Sequence, residues 1–352
     1  MSLRRVIVRA VSAGLSLSGV NGLLRSRRRR RKDYRVYILE YHGVDPKNRE
    51  WEGTISQKRF RRHLQWLQKR FRFCTVADAA ERLVAGSLDE DWCVLTFDDG
   101  YLNNVEGAFP VLQELGIPAT VYLTTGFLDG EELWFDVARR ALAAEPHGDE
   151  QTTPPWVAEE LQRHLGSWPP TDDVETLMKR LKYLPAKNRL SAVDQLKASG
   201  LPLGVAARPM SWDQARELRD AGIELGAHTV RHPILSRLEP DEQKREILGS
   251  VERLTEELGE PPRTFAMPNG SAKDYDDHTL DILRRSGLQA ACTTRRGPCK
   301  PGCDPFQLHR LGVGSDTTAV LDTRLSGFFD AGVRRLIPFL SALGPFELFS
   351  KP

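Results

Sequence analysis

Two short segments of this chain carry carboxylate and imidazole side chains of the kind that bind divalent cations. The first reads Thr-Phe-Asp-Asp-Gly over residues 96–100 and places Asp98 and Asp99 at the end of an apolar run, where Gly100 allows a sharp turn. Adjacent carboxylates repel each other unless a cation neutralises them, and a cation held by one favours ionisation of the other. The segment predicts either a metal site with an adjacent base or a plain Asp-Asp-Gly turn.

The second segment reads His-Thr-Val-Arg-His and holds His228 and His232 four positions apart. On one face of a single turn, both imidazole rings reach the same cation. Together with the aspartate segment, the pair supplies two histidines and one carboxylate. This set leaves coordination positions open for water and substrate, as hydrolytic metal sites require. The two segments therefore predict a hydrolytic metal centre.

The same two segments resemble the signature motifs of the polysaccharide deacetylases, carbohydrate esterase family four with its nodulation-type deacetylase domain. The resemblance covers about residues 37–313, apart from region 131–210. It implies that Asp98 is the catalytic base and that Asp99, His228 and His232 bind the metal. Zinc is the expected ion, although cobalt or nickel suits the same ligands.

A third segment, Ala-Met-Pro-Asn-Gly, resembles the family motif in which an arginine precedes a proline and a backbone amide helps to form the oxyanion hole. Met267 stands in the arginine's place, which leaves the orientation of the base by an arginine at this point in question. Asn269 and Gly270 are candidate substrate or oxyanion residues, and a simple turn explains them equally well. Tyr101 and Arg310 are further candidates for that role, and structural pairing explains Arg310 equally well.

Two histidines compete for the role of general acid. A Tyr-His segment at residues 41–42 precedes the aspartate segment, and this order resembles the circularly permuted branch of the family, which includes exopolysaccharide and poly-N-acetylglucosamine deacetylases. That resemblance implies His42 as the acid. His309 is similar to the acid of unpermuted members, but apolar strand residues follow it. Because catalytic groups of barrels lie where strands end, we favour His42.

Seven β-rich runs separated by helical patterns indicate an α/β fold, a distorted (β/α) barrel of about seven strands. The carboxyl ends of parallel barrel strands form one rim, which would gather the candidate residues. The predicted strands are residues 35–41, 93–98, 119–124, 224–227, 264–267, 290–294 and 308–313. The predicted helices include residues 57–71, 104–115, 212–221 and 241–258.

Three regions lie outside this repeating pattern. Region 131–210 is longer than an ordinary connection and predicts a helical subdomain inserted over or beside the rim. The catalytic domain is expected to span residues 34–315, with a basic arm over residues 1–33 before it. A helical extension over residues 316–352 is expected after it.

The arm is strongly basic, since residues 1–35 contain eleven Arg or Lys and one acidic residue. Its apolar spacing and arginine run suit an amphipathic helix on an anionic membrane surface, and a disordered basic tail is the alternative. Arg9 within the apolar stretch disfavours a cleavable signal peptide, and the length is marginal for a transmembrane span. Nucleic acid is not expected as a partner, because no recognised module accompanies the arginines. The expected location is the cytoplasm, peripheral on the inner face of the membrane.

These features predict a metal-dependent hydrolase that removes N-acetyl groups from amino sugars of a polysaccharide or a lipid-linked glycan. The alternatives are a hydrolase of O-acetyl esters or non-sugar amides on the same fold, and a non-catalytic carbohydrate-binding protein. The intact aspartate and histidine pairs disfavour the last alternative. Five cysteines, an odd number, argue against a complete disulfide framework.

Overall fold

The structure is a computed structural model that describes residues 3–49, 53–143, 174–198, 207–314 and 316–328. Within these ranges the strands are β1 Val36–Tyr41, β2 Gly43–Asp45, β3 Thr54–Ser56, β4 Arg72–Phe73, β5 Trp92–Phe97, β6 Thr120–Leu123, β7 Glu224–Ala227, β8 Thr264–Ala266, β9 Ala290–Cys292 and β10 Arg310–Gly312.

The α-helices of the same ranges are α1 Leu3–Leu17, α2 Val20–Arg30, α3 Gln57–Gln68, α4 Val76–Val84, α5 Phe109–Leu115, α6 Thr125–Leu128, α7 Trp134–Ala143, α8 Val174–Tyr183, α9 Ala186–Ala198, α10 Trp212–Asp220, α11 Pro240–Leu258, α12 Asp277–Arg285 and α13 Thr318–Leu325. A π-helical turn, Asn104–Ala108, leads into α5. Ser211 and Gln214 form the predicted capping box before α10, and Gly259 ends α11 in the left-handed conformation.

Seven parallel strands lie side by side in the order β10-β1-β5-β6-β7-β8-β9. The segment before β10 returns to the far edge of this sheet, where Leu308 forms a parallel bridge with Cys292 of β9. The two edges therefore approach each other, and the sheet nearly closes. The predicted distorted barrel of about seven strands is confirmed.

The predicted barrel strands are all present, and their ends differ from the sequence-based ranges by at most two residues. The strands that the sequence patterns missed are β2, β3 and β4. Each has only two or three residues, too few to show an alternating pattern.

Side chains along the barrel strands alternate between the helix-covered outside and the interior. Ile38 and Val94 belong to an interior apolar cluster that continues into α4. The first turn of α4 donates backbone N–H groups to Thr120 and Glu224, the first residues of β6 and β7. Helix α4 therefore covers the amino-terminal end of the barrel, and the carboxyl-terminal rim is the end left for a site.

The regions outside the barrel are helical where they are described. Helices α7, α8 and α9 occupy the described parts of region 131–210, between β6 and β7. Residues 144–173 and 199–206 of that region, and residues 329–352 of the expected C-terminal extension, lie outside the described residues. Helix α13 begins the extension and packs against α1.

No single helix among the described residues is both long enough and apolar enough to cross a membrane. Helices α1 and α2 meet that test only when taken together, and they are bent by 62° relative to each other. All five cysteines are free thiols, and four of them are buried.

Candidate functional site

The aspartate segment turns sharply where β5 ends at the rim. Asp98 and Asp99 are 3% and 1% exposed, and the backbone of Asp99 has a φ of 74°. Gly100 follows with a φ of 85°. A non-glycine residue in this left-handed region is strained, and such strain persists where the surroundings hold it, commonly at functional sites.

The histidine segment follows β7 as a loop and not as a helical turn. Thr229 and His232 have φ values of 67° and 54°, which no helix contains. The Thr229 hydroxyl accepts a hydrogen bond from the His232 backbone, and the Glu246 carboxylate accepts bonds from Val230 and Arg231. The expectation that a single turn carries both histidines on one face is therefore wrong in conformation, although the two rings do converge.

The loop brings both imidazoles to the second aspartate. The Nε2 atoms of His228 and His232 lie 3.6 and 3.5 Å from Oδ1 of Asp99. His228 is oriented by its other nitrogen, because Nδ1 lies 2.7 Å from the Ala266 carbonyl oxygen. This arrangement leaves Nε2 to face the carboxylate, and it is the arrangement that metal-binding histidines adopt.

The donor atoms of these three residues suit a divalent cation. One donor atom from each of Asp99, His228 and His232 lies within 4.8 Å of the others. Both carboxylate oxygens of Asp99 are buried and lack a hydrogen-bond partner among the described residues. A buried carboxylate without partners is costly, and a cation would satisfy it. Two imidazoles and one carboxylate match zinc in type and number.

Arg310 is the charged partner of the first aspartate. Its guanidinium is 1% exposed, and Nη1 donates to Oδ1 of Asp98 at 2.6 Å. Nε donates to the Thr293 carbonyl oxygen, and Nη1 also lies 3.4 Å from the Thr96 hydroxyl. The structure thus brings Arg310 to the predicted base, and its expected role in binding substrate or an oxyanion stays a prediction. The family motif has an arginine where this chain has Met267. Arg310, the first residue of β10, instead places an arginine side chain beside Asp98.

The two aspartates differ in their affinity for protons because their surroundings differ. Burial, helped by the charge of Asp98 and opposed by that of His42, raises the pKa of Asp99 to about 7. Burial acts in the same direction on Asp98, but the charge and hydrogen bond of Arg310 outweigh it and hold the pKa of Asp98 well below its usual range. Asp98 is therefore ionised without a cation, whereas a cation beside Asp99 would favour the ionised form of that carboxyl.

The two imidazole rings that face Asp99, those of His228 and His232, are neutral. Burial lowers the pKa of His228 to about 4 and holds the pKa of His232 well below its ordinary value. A neutral imidazole presents a lone pair, which is the form that binds a metal.

His42 lies at the rim beside these groups. Its side chain is 40% exposed, and one atom each from His42, Glu40 and Asp98 lies within 4.8 Å of the others. Burial opposes protonation of the ring, but the negative charges of Asp99, Glu40 and Asp98 outweigh it and raise the pKa of His42. A protonated imidazole beside the base and the cation site is in place to act as an acid.

His309 lies at another level of the barrel. It directly precedes β10, and the pairing of Ile38 with Arg310 sets it level with Tyr37 near the start of β1. His42 instead follows the end of β1. The His309 backbone N–H donates to the sulfur of Cys299, and burial lowers the pKa of its ring. The structure does not bring His309 together with the two aspartates.

Asn269 and Gly270 form a tight turn after β8. Both have positive φ values, 59° and 60°, and a Cβ on Gly270 would lie 2.7 Å from the Thr294 backbone nitrogen. The Gly270 N–H donates to the Pro268 carbonyl oxygen, so this amide is engaged inside the turn. The Nδ2 atom of Asn269 is buried without a partner among the described residues.

Helix α7 of the inserted region forms a wall of the site, which the sequence patterns did not identify. The Trp134 indole donates to the His232 carbonyl oxygen at 3.1 Å, and the Phe135 ring packs edge-on against the His232 ring. The next residue, Asp136, accepts a hydrogen bond from the Tyr101 hydroxyl. Tyr101 thus reaches the inserted region.

The sequence patterns also did not identify Glu40, which lies beside His42. The only indication of a role for Glu40 in the site was its position as an acidic residue inside an apolar strand.

Comparisons with known proteins agree with this fold. A model of the polysaccharide deacetylase family matches residues 85–291. YxkH of Bacillus subtilis (strain 168), named as a polysaccharide deacetylase, is 22% identical over 284 residues, which are 80% of this chain and 72% of YxkH.

Two solved structures share the architecture at low sequence identity. IcaB from Ammonifex degensii superposes with a TM-score of 0.56 at 21% identity, covering 83% of this chain and 97% of IcaB. A de-N-acetylase from Aggregatibacter actinomycetemcomitans superposes with a TM-score of 0.54 at 17% identity, covering 83% and 100%. Because the family model spans more than half of the sequence, and the fold is the expected one, this chain belongs to the polysaccharide deacetylase family.

Proposed function

We propose that this protein is a metal-dependent hydrolase that removes N-acetyl groups from the amino sugars of a glycan. The observation that carries the proposal is the position of Asp98, held by Arg310, next to the cation-binding group of Asp99, His228 and His232. Membership of the family supports a hydrolase that acts on amide or ester bonds of sugars. A relative of the same fold is a de-N-acetylase, which favours the amide.

The chemistry follows from what each group can do. A divalent cation at Asp99, His228 and His232 would polarise the acetyl carbonyl and acidify water. Asp98, which Arg310 keeps ionised, accepts the proton of the attacking water. The amide C–N bond then breaks, which yields acetate and an amino sugar.

The departing nitrogen needs a proton, and His42 is the group placed to donate it. Its ring is near Asp98, is partly open to solvent and holds its proton more tightly than an ordinary histidine. Glu40, 3.9 Å from the His42 ring, is placed to orient it. A general acid and a general base each contribute on the order of 10²–10⁴ in rate.

Acetate release from an N-acetylglucosamine oligomer, compared with release from an acetylated xylan, tests the proposed bond. The metal-loaded enzyme is expected to act on the oligomer, and the Asp98→Asn variant is the matched inactive control. Release from xylan alone would favour the ester hydrolase. No release from either substrate, with metal bound at stoichiometric amounts, would favour a carbohydrate-binding protein.

Metal dependence is tested by chelation. Activity should disappear on removal of metal and return with Zn²⁺, with Co²⁺ and Ni²⁺ as comparison ions. Full activity in demonstrably metal-free protein would contradict this part of the proposal.

A further inference from the structure

Helix α2 buries polar side chains and exposes an apolar one, and the end of α1 exposes another. On α2, Asn21, Arg25 and Arg28 share one face and are all buried. Leu23 of α2 is 69% exposed, and Leu17 at the end of α1 is 88% exposed. Surface helices of soluble proteins normally turn their apolar residues toward the core and their polar residues toward water. Exposed leucines beside basic side chains suit a surface that offers both apolar and acidic groups.

The buried polar face of α2 is fixed to the body by ion pairs. Arg25 pairs with Asp322 on α13, and Arg28 lies 3.3 Å from the carboxylate of Asp91. Breaking a buried pair leaves an uncompensated charge, which is strongly unfavourable. Helix α2 is therefore held as part of the body, and its outward face keeps one orientation.

Positive charge accompanies the exposed leucines. Residues 1–32 contain no Asp or Glu, and the last turn of α2 and the two residues after it expose basic side chains. We define the arm face as Leu17, Leu23, Arg27, Arg30, Arg31 and Lys32. We propose that the arm face binds the surface of an anionic lipid bilayer. Its basic groups attract the acidic headgroups, and its leucines enter the boundary between headgroups and acyl chains.

Other partners fit the arm face less well. Nucleic acid would use the charges, but residues 1–32 contain no aromatic side chain for base stacking, and phosphate contacts leave exposed leucines without a role. A second copy of the chain would cover the leucines but would bring two arginine clusters together, and these repel each other.

The attachment of α2 also orients the molecule. Asp91, the partner of Arg28 and Arg29, directly precedes β5, whereas Asp98 and Asp99 follow its other end. Six strand residues span roughly 20 Å. A bilayer that contacts the end of α2 would therefore lie about one strand length from the rim. This step rests on the proposed function, and it favours a glycan that extends into water over a sugar held at the headgroups.

Sedimentation of the full-length protein with vesicles of equal parts phosphatidylglycerol and phosphatidylcholine tests the proposal. The L17S/L23S variant should bind at least about tenfold more weakly, because two apolar side chains no longer enter the interface. The R27Q/R30Q/R31Q variant should bind about 100-fold more weakly, because each basic residue near an anionic surface contributes about fivefold. Wild-type protein should bind vesicles of phosphatidylcholine alone much more weakly than mixed vesicles.

Matched controls remove similar groups elsewhere. The Y183S/L190S variant loses two exposed apolar side chains of the inserted region, and R237Q/R245Q/R285Q loses three exposed charges. Both should bind like wild type. Asp98→Asn should also bind like wild type, so that failure of deacetylation and failure of vesicle binding are recorded separately.

Equal vesicle binding by wild type and both arm variants would overturn the proposal. Binding to RNA without binding to vesicles would overturn it too, as would self-association lost in L17S/L23S. A lower Tm of L17S/L23S without lipid would show that the leucines pack against protein, which also contradicts it. Vesicles should leave activity on a soluble oligomer unchanged, and inhibition by vesicles would refute the orientation.

Discussion

Replacing Arg310 by glutamine should separate the ionisation of the base from the binding of the metal. Arg310 and Asp98 are both buried, with a hydrogen bond of 2.6 Å between them. Loss of one partner of a buried pair costs about 3–5 kcal/mol. Protonation of Asp98 relieves this cost, and one pKa unit corresponds to about 1.4 kcal/mol. Its pKa should therefore rise by about two to four units.

The sign of the pH effect follows from the same pair. In the wild type, the pKa of Asp98 lies below its usual range, so the base is ionised across the working pH range. In the variant, Arg310 no longer opposes the effect of burial, so the decrease of kcat/KM toward acidic pH should begin at a higher pH than in the wild type. At neutral pH most of the Asp98 carboxylate should remain ionised, and below the new pKa kcat/KM should fall about tenfold per pH unit. Arg310→Lys keeps the positive charge but lacks the planar guanidinium group, so we expect a loss of kcat/KM between those of the wild type and Arg310→Gln.

The assay is the pH profile of kcat/KM for acetate release, together with metal content and Tm. Metal content should not change, because Asp99, His228 and His232 are untouched. Arg25→Gln is the control, since it breaks a buried arginine–aspartate pair remote from the rim and should lower Tm without moving the profile. An Arg310→Gln enzyme whose profile matches wild type would refute the reasoning.

Three further predictions concern other groups. Asp99→Ala should abolish both metal binding and turnover, whereas Asp98→Asn should abolish turnover alone. Metal analysis of the purified variants measures this difference. Metal retained in Asp99→Ala, or lost from Asp98→Asn, would contradict the assignment. Glutamine at His42 should remove the high-pH limb of the kcat/KM profile, and glutamine at His309 should leave it; the reverse result would reject the permuted reading. His63 is fully buried, and burial lowers its pKa, so the unfolded chain binds a proton at this ring more readily than the folded protein does. The free energy of unfolding should therefore fall as pH drops below about 6.5, by at most about 1.4 kcal/mol per pH unit. Urea titrations of the His63→Gln variant should show a smaller fall.

The barrel strands were predictable because each is a run of apolar, β-prone residues bounded by turn signals. The same runs locate Asp98 and His42, which directly follow strands, and Asp99, which comes next, because the ends of parallel strands meet at one rim. The family prediction is confirmed by the match to its model. Roles of individual residues remain predictions until the variants are measured.

What the sequence could not provide is contact between distant segments. Arg310 pairs with Asp98 across 212 residues, and this contact depends on β10 lying beside β1 and β1 beside β5. The hydrophobic pattern of the sequence does not reveal the order of the strands in the sheet. The same holds for the wall of Trp134 and Phe135, which looked like ordinary helix residues, and for the left-handed backbone that brings His232 to the site.

The separation of Asp98 and Arg310 in the chain has a consequence during synthesis on the ribosome. Residues 36–98, which include β1, β5 and Asp98, leave the ribosome early. The Arg310 guanidinium that neutralises Asp98 follows 212 residues later. At roughly 5–20 residues per second, this delay is about 10–40 s. Until β10 arrives, the nascent barrel holds an uncompensated carboxylate and an open edge beside β1. Unfinished chains that lack β10 should therefore be inactive.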